Sequence, residues 1–314
     1  MSLYDIIDLS RRIGVDFHDI FLKFHKFCLK LGIQIIPNHY YSSVADINNL
    51  EKNKNIWAKK SDLPGLGVDL DRQVANLQKI CIPFQSEYVE NQNYLTASSE
   101  HFGPGFGPIE AQALHGIIRY YSPRRIIEVG GGVSTYCSLK AIEKNNNGHI
   151  TCIEPYPSDK LKSLSQISLI ENEVQKVPLE TFNSLGNNDL LFIDSSHTVK
   201  TGSDVNYLVL EVLPRLKPGV IVHFHDIFLP YDYQIDILRS YLQWSETSLL
   251  RAFMINNNNA EIIFSLSLLH EDKKKDLLNV FPEYNPLRTF NGLTEEPRPW
   301  NAHFPCSIYI KILS

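Results

Sequence analysis

The segment that most constrains the fold of this 314-residue chain is Arg124-Arg-Ile-Ile-Glu-Val-Gly-Gly-Gly-Val-Ser-Thr135. Ile126, Ile127 and Val129 form a short apolar run with one acid inside it, Glu128, and the run ends in Gly130, Gly131 and Gly132. An apolar run that stops at glycines reads as a buried parallel strand meeting a tight turn. Ser134 and Thr135 suit the first turn of a following helix, where their hydroxyls can satisfy orphan backbone N–H groups. Strand, glycine turn and helix start is the opening of a nucleotide-binding βαβ unit.

The rest of the chain repeats this alternation. Strands are expected at residues 149–154, 167–170, 189–194, 220–224, 260–266 and 306–312. Helices are expected at 110–121, from Thr135 to about Lys144, at 203–215 and in one long stretch at 235–253. Strands alternating with helices mean an α/β, doubly wound, Rossmann-like parallel sheet covered on both faces. Ahead of it, Phe17, Ile20, Phe21, Phe24, Phe27, Cys28 and Leu31 make the stripe of an amphipathic helix. A second helix is expected at 71–81, ended by Pro83. Residues 91–108, rich in Ser, Gly and Pro, read as a boundary or cover. The expected division is therefore an N-terminal helical extension, 1–95, and a main domain, 96–314. The stripe at 17–31 reads as packing on the main domain or on a second copy of the chain, which makes the N-terminal helices the candidate homo-oligomer contact. A membrane-surface role is the weaker reading.

Composition excludes several classes. A net charge of −5 argues against a nucleic-acid partner, which needs a basic face. Cys28, Cys81, Cys137, Cys152 and Cys306 are dispersed with no CxxC spacing, as expected of reduced thiols. No apolar run approaches the ~18 residues of a membrane span. The first residues lack the layout of a signal peptide. A soluble cytoplasmic protein is the expectation.

In a doubly wound sheet, ligands bind beyond the carboxyl ends of the strands, beside the first one. The residues there would be Glu128 to Gly132, Glu154, residues 172–175, Asp194 to His197, and His223 to Asp226. A dinucleotide fingerprint, G-x-G-x-x-G, is satisfied at Gly130 and Gly132 but has Thr135 at its third position. Glu128, aimed at the turn, would also repel a pyrophosphate. It would suit a ligand that brings an ammonium group there, which points to S-adenosylmethionine over NAD.

At these residues the chain resembles the class I S-adenosylmethionine-dependent methyltransferases. Glu128-x-Gly-x-Gly132 resembles their first motif. Asp189-Leu-Leu-Phe-Ile-Asp-Ser-Ser-His197, Leu213-Pro-Arg-Leu-Lys-Pro-Gly-Val220 and His223-Phe-His-Asp-Ile-Phe-Leu-Pro230 resemble a bacterial subgroup acting in sugar and natural-product pathways. The resemblance implies a seven-stranded sheet with the last strand antiparallel. It implies cofactor contacts from Glu128, Gly130, Gly131, Gly132, Ser134, Thr135 and Asp194, a grip on the ribose hydroxyls from Glu154, and a border to the adenine from Val174 and Gln175. Phe106 and Glu110 could close over the cofactor, although a structural role is preferred for both. Asp204 is expected to favour its own helix start.

Two readings of the chemistry stay open. In relatives that use a metal, Asp194, His225 and Asp226 would stand at the ligand positions for a divalent cation, magnesium or manganese. An imidazole is a poor magnesium ligand and a better one for manganese, iron, nickel or zinc, so His225 departs from that pattern. Without a metal, His197 or His225 would act as general base with an aspartate orienting it. His223 is divided evenly between a structural and a functional role. The expected reaction is methyl transfer to a hydroxyl of a small glycosidic or natural-product acceptor. N-methylation of an amine or peptide, NAD-dependent oxidoreduction and a non-catalytic assembly role are the alternatives.

Overall fold

The structure, a computed structural model, describes residues 17–103 and 105–314. Residues 1–16 of the expected extension and Pro104 lie outside the described residues. The chain divides into two units, Met1–Trp57 and Ala58–Ser314. In the first, α1 (Phe17–Lys30) is the helix expected from the apolar stripe. In the second, α2 (Leu70–Cys81), α3 (Gln92–Ser99), α4 (Pro108–Tyr121) and α5 (Val133–Asn145) precede or accompany the first strands.

The division at Trp57 differs from the boundary expected at residue 95. The reason is a close helix crossing. Gly116 of α4 sits against α2 so tightly that a Cβ there would lie 2.6 Å from the Cys81 sulfur. Leu77, Ile80 and Cys81 of α2 share a core with Ile109, Leu114 and Ile117 of α4. The Ser-rich stretch read as a boundary also contains α3, whose Ala97 is fully buried.

The main sheet has seven strands in the order β3-β2-β1-β4-β5-β9-β6. These are β1 (Arg125–Val129), β2 (His149–Ile153), β3 (Ile167–Ile170), β4 (Leu190–Ile193), β5 (Ile221–Phe224), β6 (Ala260–Ser265) and β9 (Ile308–Ile312). Neighbours from β3 to β5 pair in parallel, while β9 runs antiparallel to both β5 and β6. The mostly parallel, doubly wound sheet with its last strand reversed is the one expected. A small hairpin of β7 (Thr289–Phe290) and β8 (Leu293–Thr294) was not anticipated.

Near-continuous apolar strands follow from burial on both faces. Ile126, Leu190, Phe192, Ile221 and Tyr309 point into one core with α2, α4 and α5. Their chain neighbours Ile127, Leu191, Ile193, Val222 and Ile310 point into the other, which is capped by Val205, Leu208 and Val212 of the helical run that opens with α6 (Asp204–Tyr207). Side chains alternate across a strand, so a single run feeds two cores.

The long helix expected at 235–253 does not form. Only its end is helical, as α7 (Glu246–Met254), and a single 3-10 turn (Ile237–Arg239) lies before it. Local polar bonds account for this. The buried Gln234 side chain accepts from Trp244 N at 3.1 Å, and the His197 carbonyl accepts from Ser245 N and Glu246 N at 2.8 and 3.1 Å. These tethers hold the chain in an irregular path that a helix could not follow.

The core assignment has a direct test. Phe192 is fully buried at the centre of the sheet, stacked on His223 at 4.2 Å. Phe192→Ala is expected to lower unfolding free energy by about 3–5 kcal/mol. Leu210→Ala, at a residue 53% exposed, should stay within about 0.5 kcal/mol of the parent chain. Urea unfolding curves compare the two, and equal effects would contradict the core described.

Candidate active site

The strand order reverses between β1 and β4, and the residues beyond their carboxyl ends form the candidate site. Each strand end is tied to its neighbour by one more backbone bond: Gly130 N to Ile153 O at 3.0 Å, Asp194 N to Val129 O at 2.9 Å, His225 N to Ile193 O at 2.9 Å. The glycine turn is forced by crowding. Gly130 has φ +82, and a Cβ on it would overlap the Asp194 carbonyl. A Cβ on Gly131 would overlap the Cys152 sulfur. The turn is closed by Thr135, whose Oγ1 accepts from Gly132 N at 2.9 Å.

Glu128 lies beneath this turn, fully buried, with Ser134 Oγ donating to its Oε1 at 2.6 Å and no partner at Oε2. Burial pushes its carboxyl up to about 8, and the negative charges of Asp194 and Glu154 add to the rise, while hydrogen bonds from Ser134 and Thr135 oppose it. Glu154 is held differently. Its Oε2 accepts from Gly131 N at 3.1 Å and its Oε1 from Tyr156 N at 2.8 Å.

Two adjoining cavities open here, of about 430 and 530 Å³. Both are lined by Gly130, Glu154, Tyr156 and Asp194. The first adds Gly131, Gly132, Ser134, Phe106, His197, Asp226 and Trp244. The second adds Val174, Gln175, Ser196 and Asp204. These sizes are within the range of small-molecule sites. Of the residues expected at the cofactor, Gly130, Gly131, Gly132, Ser134, Glu154, Val174, Gln175 and Asp194 therefore come together around one space. Glu128 and Thr135 do not reach the cavity wall. Glu128 acts on it through Ser134.

The histidines separate into three environments. His223 is fully buried, stacked on Phe192 and bonded to Ser307 Oγ at 2.8 Å, and burial drives its pKa well below the ordinary value. That environment is structural. His197 Nε2 is 3.2 Å from Asp194 Oδ1 and 3.5 Å from Asp226 Oδ2, while its Nδ1 is 2.9 Å from Glu246 Oε2. Burial disfavours its charged form, but the hydrogen bonds to Asp194 and Glu246 and the charge of Asp226 outweigh it and raise the pKa well above the ordinary value. His225 is buried beside Asp226, Asp194 and Glu110, whose charges outweigh burial and raise its pKa, and its Nε2 is 2.8 Å from the Gly105 carbonyl. Burial works against the Asp194 carboxylate, yet His225 and His197 hold it below the usual range.

This geometry bears on both expected mechanisms. The space between Asp194 and Asp226, where a hard cation would have to sit, is filled by the His197 ring. Asp194, His225 and Asp226 therefore do not fit a magnesium site as they stand. A protonated His197 also has no lone pair to take a proton. Three participants were missed from sequence. Glu246 holds the far side of His197, Trp244 packs on its ring at 4.8 Å, and Cys306 Sγ lies 3.0 Å from Asp226 Oδ1. Glu246 lay inside the stretch read as one long helix, where nothing marks a buried acid. Asp204 bonds Ser196 N and Oγ at 2.7 and 2.6 Å, pinning the loop after β4 to the start of α6.

Residues 127–227 match the family model described as a methyltransferase domain. The chain is 29% identical over 168 residues to an uncharacterized protein of Archaeoglobus fulgidus, covering 48% of this chain and 74% of that one. Solved structures similar to it include the O-methyltransferase TomG of Streptomyces achromogenes in complex with SAM, at 14% identity, 76% and 98% coverage and a TM-score of 0.45. The SAH-bound methyltransferase PaMTH1 of Podospora anserina is similar at 16% identity, 73% and 93% coverage and a TM-score of 0.36. Domain match, strand order and glycine turn agree with the S-adenosylmethionine-dependent methyltransferase expected from the sequence, and the match places a methyltransferase domain at residues 127–227.

Proposed function

We propose that the chain transfers a methyl group from S-adenosylmethionine to a hydroxyl of a small glycosidic or natural-product acceptor. The observation that carries the cofactor reading is Glu154. Its carboxylate is fixed by two backbone amides at the junction of both cavities, leaving lone pairs free for a ribose diol. The unpartnered Oε2 of Glu128 under the Gly130–Ser134 turn supports a cationic group nearby. Val174 and Gln175 border the second cavity, in keeping with an adenine there. When bound, the cofactor supplies a methyl group already activated by its sulfonium.

The chain's own residues then have to orient the acceptor, exclude water and take one proton. Phe106 and Trp244 supply apolar walls to the first cavity. His197, charged and flanked by carboxylates, serves as an orienting cation. Asp226 is the proton acceptor in this reading, since it lines the cavity and lies beside His197. No step is assigned to a magnesium ion at Asp194, His225 and Asp226. A second reading is methyl transfer to an amine. It is favoured by one feature: His197 is the sole basic side chain among the described residues lining the first cavity, against Glu154, Asp194 and Asp226. Parallel assays with matched hydroxyl and amine acceptors separate the two.

Three outcomes are expected. Glu154→Gln should weaken S-adenosylhomocysteine binding by at least about tenfold by calorimetry, the equivalent of about 1.4 kcal/mol. Unchanged affinity, or binding of NADH in its place, would sink the cofactor assignment. Asp226→Asn should lower turnover by about 10²–10⁴-fold with S-adenosylhomocysteine binding retained; normal turnover would remove it as the base. The raised pKa of His197 sets a pH dependence with a definite sign. Its stabilisation is whole below the unfolded value of about 6.5 and is lost as pH rises through the folded value. His197→Gln should therefore cost about 3–5 kcal/mol at a pH below that value, and the gap to the parent chain should narrow at alkaline pH in denaturation curves.

A further inference from the structure

Beside the first cavity lies a second group of chemistry-bearing residues, of which only Asp226 has a part in the proposed methyl transfer. Glu110 comes from α4, His225 and Asp226 from the end of β5, and Cys306 from the segment leading into β9. Among the described residues, one trio of His, Cys, Asp or Glu side chains brings its ligand atoms within 4.8 Å of one another, and it is Glu110, His225 and Cys306, all buried. Asp226 adjoins it, with Oδ1 3.0 Å from Cys306 Sγ and 3.6 Å from His225 Nε2.

We propose that Glu110, His225 and Cys306 form a three-ligand binding site for a divalent transition metal of the zinc type, with its fourth position open. The donor set is one thiolate, one imidazole and one carboxylate, ligand types that zinc takes in sites with an open fourth position, whereas magnesium takes oxygen ligands. The spacing agrees as well. Zinc bond lengths around a tetrahedral ion put neighbouring ligand atoms about 3.4–3.6 Å apart. Cys306 Sγ lies 3.7 Å from Glu110 Oε1, and the three ligand atoms all lie within 4.8 Å of one another.

Glu110 already accepts from Cys306 N at 3.1 Å, and the Cys306 S–H faces both the buried Glu110 carboxylate and Asp226. Ligation would exchange the hydrogen bond between His225 Nε2 and the Gly105 carbonyl for the metal. This site shares only His225 with the one expected after β4 and β5; Glu110 and Cys306 are its own, and Asp194 stays with His197.

The test uses the full chain, stripped with a chelator and titrated with Co²⁺ in the absence of any methyl donor. One equivalent should bind, with a near-ultraviolet thiolate-to-cobalt band and the strong visible bands of a tetrahedral ion, and Zn²⁺ should displace it. Cys306→Ser should abolish the thiolate band. Loss of an outer-shell partner alone costs about 10–100-fold in metal affinity, so Glu110→Gln, which removes a ligand, should weaken Co²⁺ by at least about 100-fold. Circular dichroism checks that both variants fold, and the Glu110 variant decides the case if the Cys306 variant does not. No thiolate band in the parent chain, a band that survives in Cys306→Ser, unchanged affinity in Glu110→Gln, or displacement of Co²⁺ by equimolar Mg²⁺ would each overturn the proposal. S-adenosylhomocysteine calorimetry is a separate readout, so failure of the metal site and failure of the methyl-transfer reading are distinguishable.

Discussion

The structure depends on how closely β1 and β4 approach at their carboxyl ends. The Cα of Gly130 lies against the Asp194 carbonyl with no room for a side chain. That contact lets the Gly130–Gly132 turn fold back over the sheet and lets α5 begin where it does. It also sets Asp194 one residue beyond the strand ladder, bonded through its N–H to Val129. A bulkier residue at 130 would separate the two strand ends and with them the walls of the cavity. The neighbouring Gly131 is equally constrained, between Cys152 and the Glu154 carboxylate that accepts from its N–H.

The second organising fact is electrostatic. Acids end β1, β2, β4 and β5 or follow them directly, and the cations that pair with Asp194 and Asp226 are imidazoles. Imidazole charge is conditional, so its protonation is set by the carboxylates around it. His197 has three and is held protonated. His223, two residues before His225 on the same strand, has none and is held neutral between Phe192 and Tyr309. One strand thus carries a structural histidine and a site histidine, distinguished only by what faces them.

Much of the fold was legible because it rests on local pattern. The seven strands lie within two residues of their expected ends, since apolar runs closed by glycines, acids or prolines leave little choice. Glu154 was recognisable from its distance to the glycine turn. What stayed hidden was convergence across the chain. Glu246 meets His197 across 49 positions, and Cys306 meets Glu110 across 196, with no mark in either stretch to pair them. The failed helix at 235–253 has the same origin. Ile235, Ile237, Leu238, Tyr241 and Leu242 mimic a helical apolar pattern, but Tyr241 and Leu242 are exposed and tertiary bonds to Gln234 and His197 decide the path.

Glu128 joins the two themes. It was read as a direct contact for an ammonium group, yet it is buried under the turn and meets the cavity through Ser134. Its carboxyl is held near 8 against an ordinary 4.5, so ionising it in place costs on the order of 5 kcal/mol more than in water. A cation arriving above the turn would offset part of that cost by favouring the ionised form, and by the same linkage ionised Glu128 would favour the cation. An aspartate would be shorter by one methylene and would lose the 2.6 Å bond from Ser134 that transmits the charge. The acid therefore acts on the site from beneath, through one hydroxyl, and Ser134 is as much a part of that device as Glu128 itself.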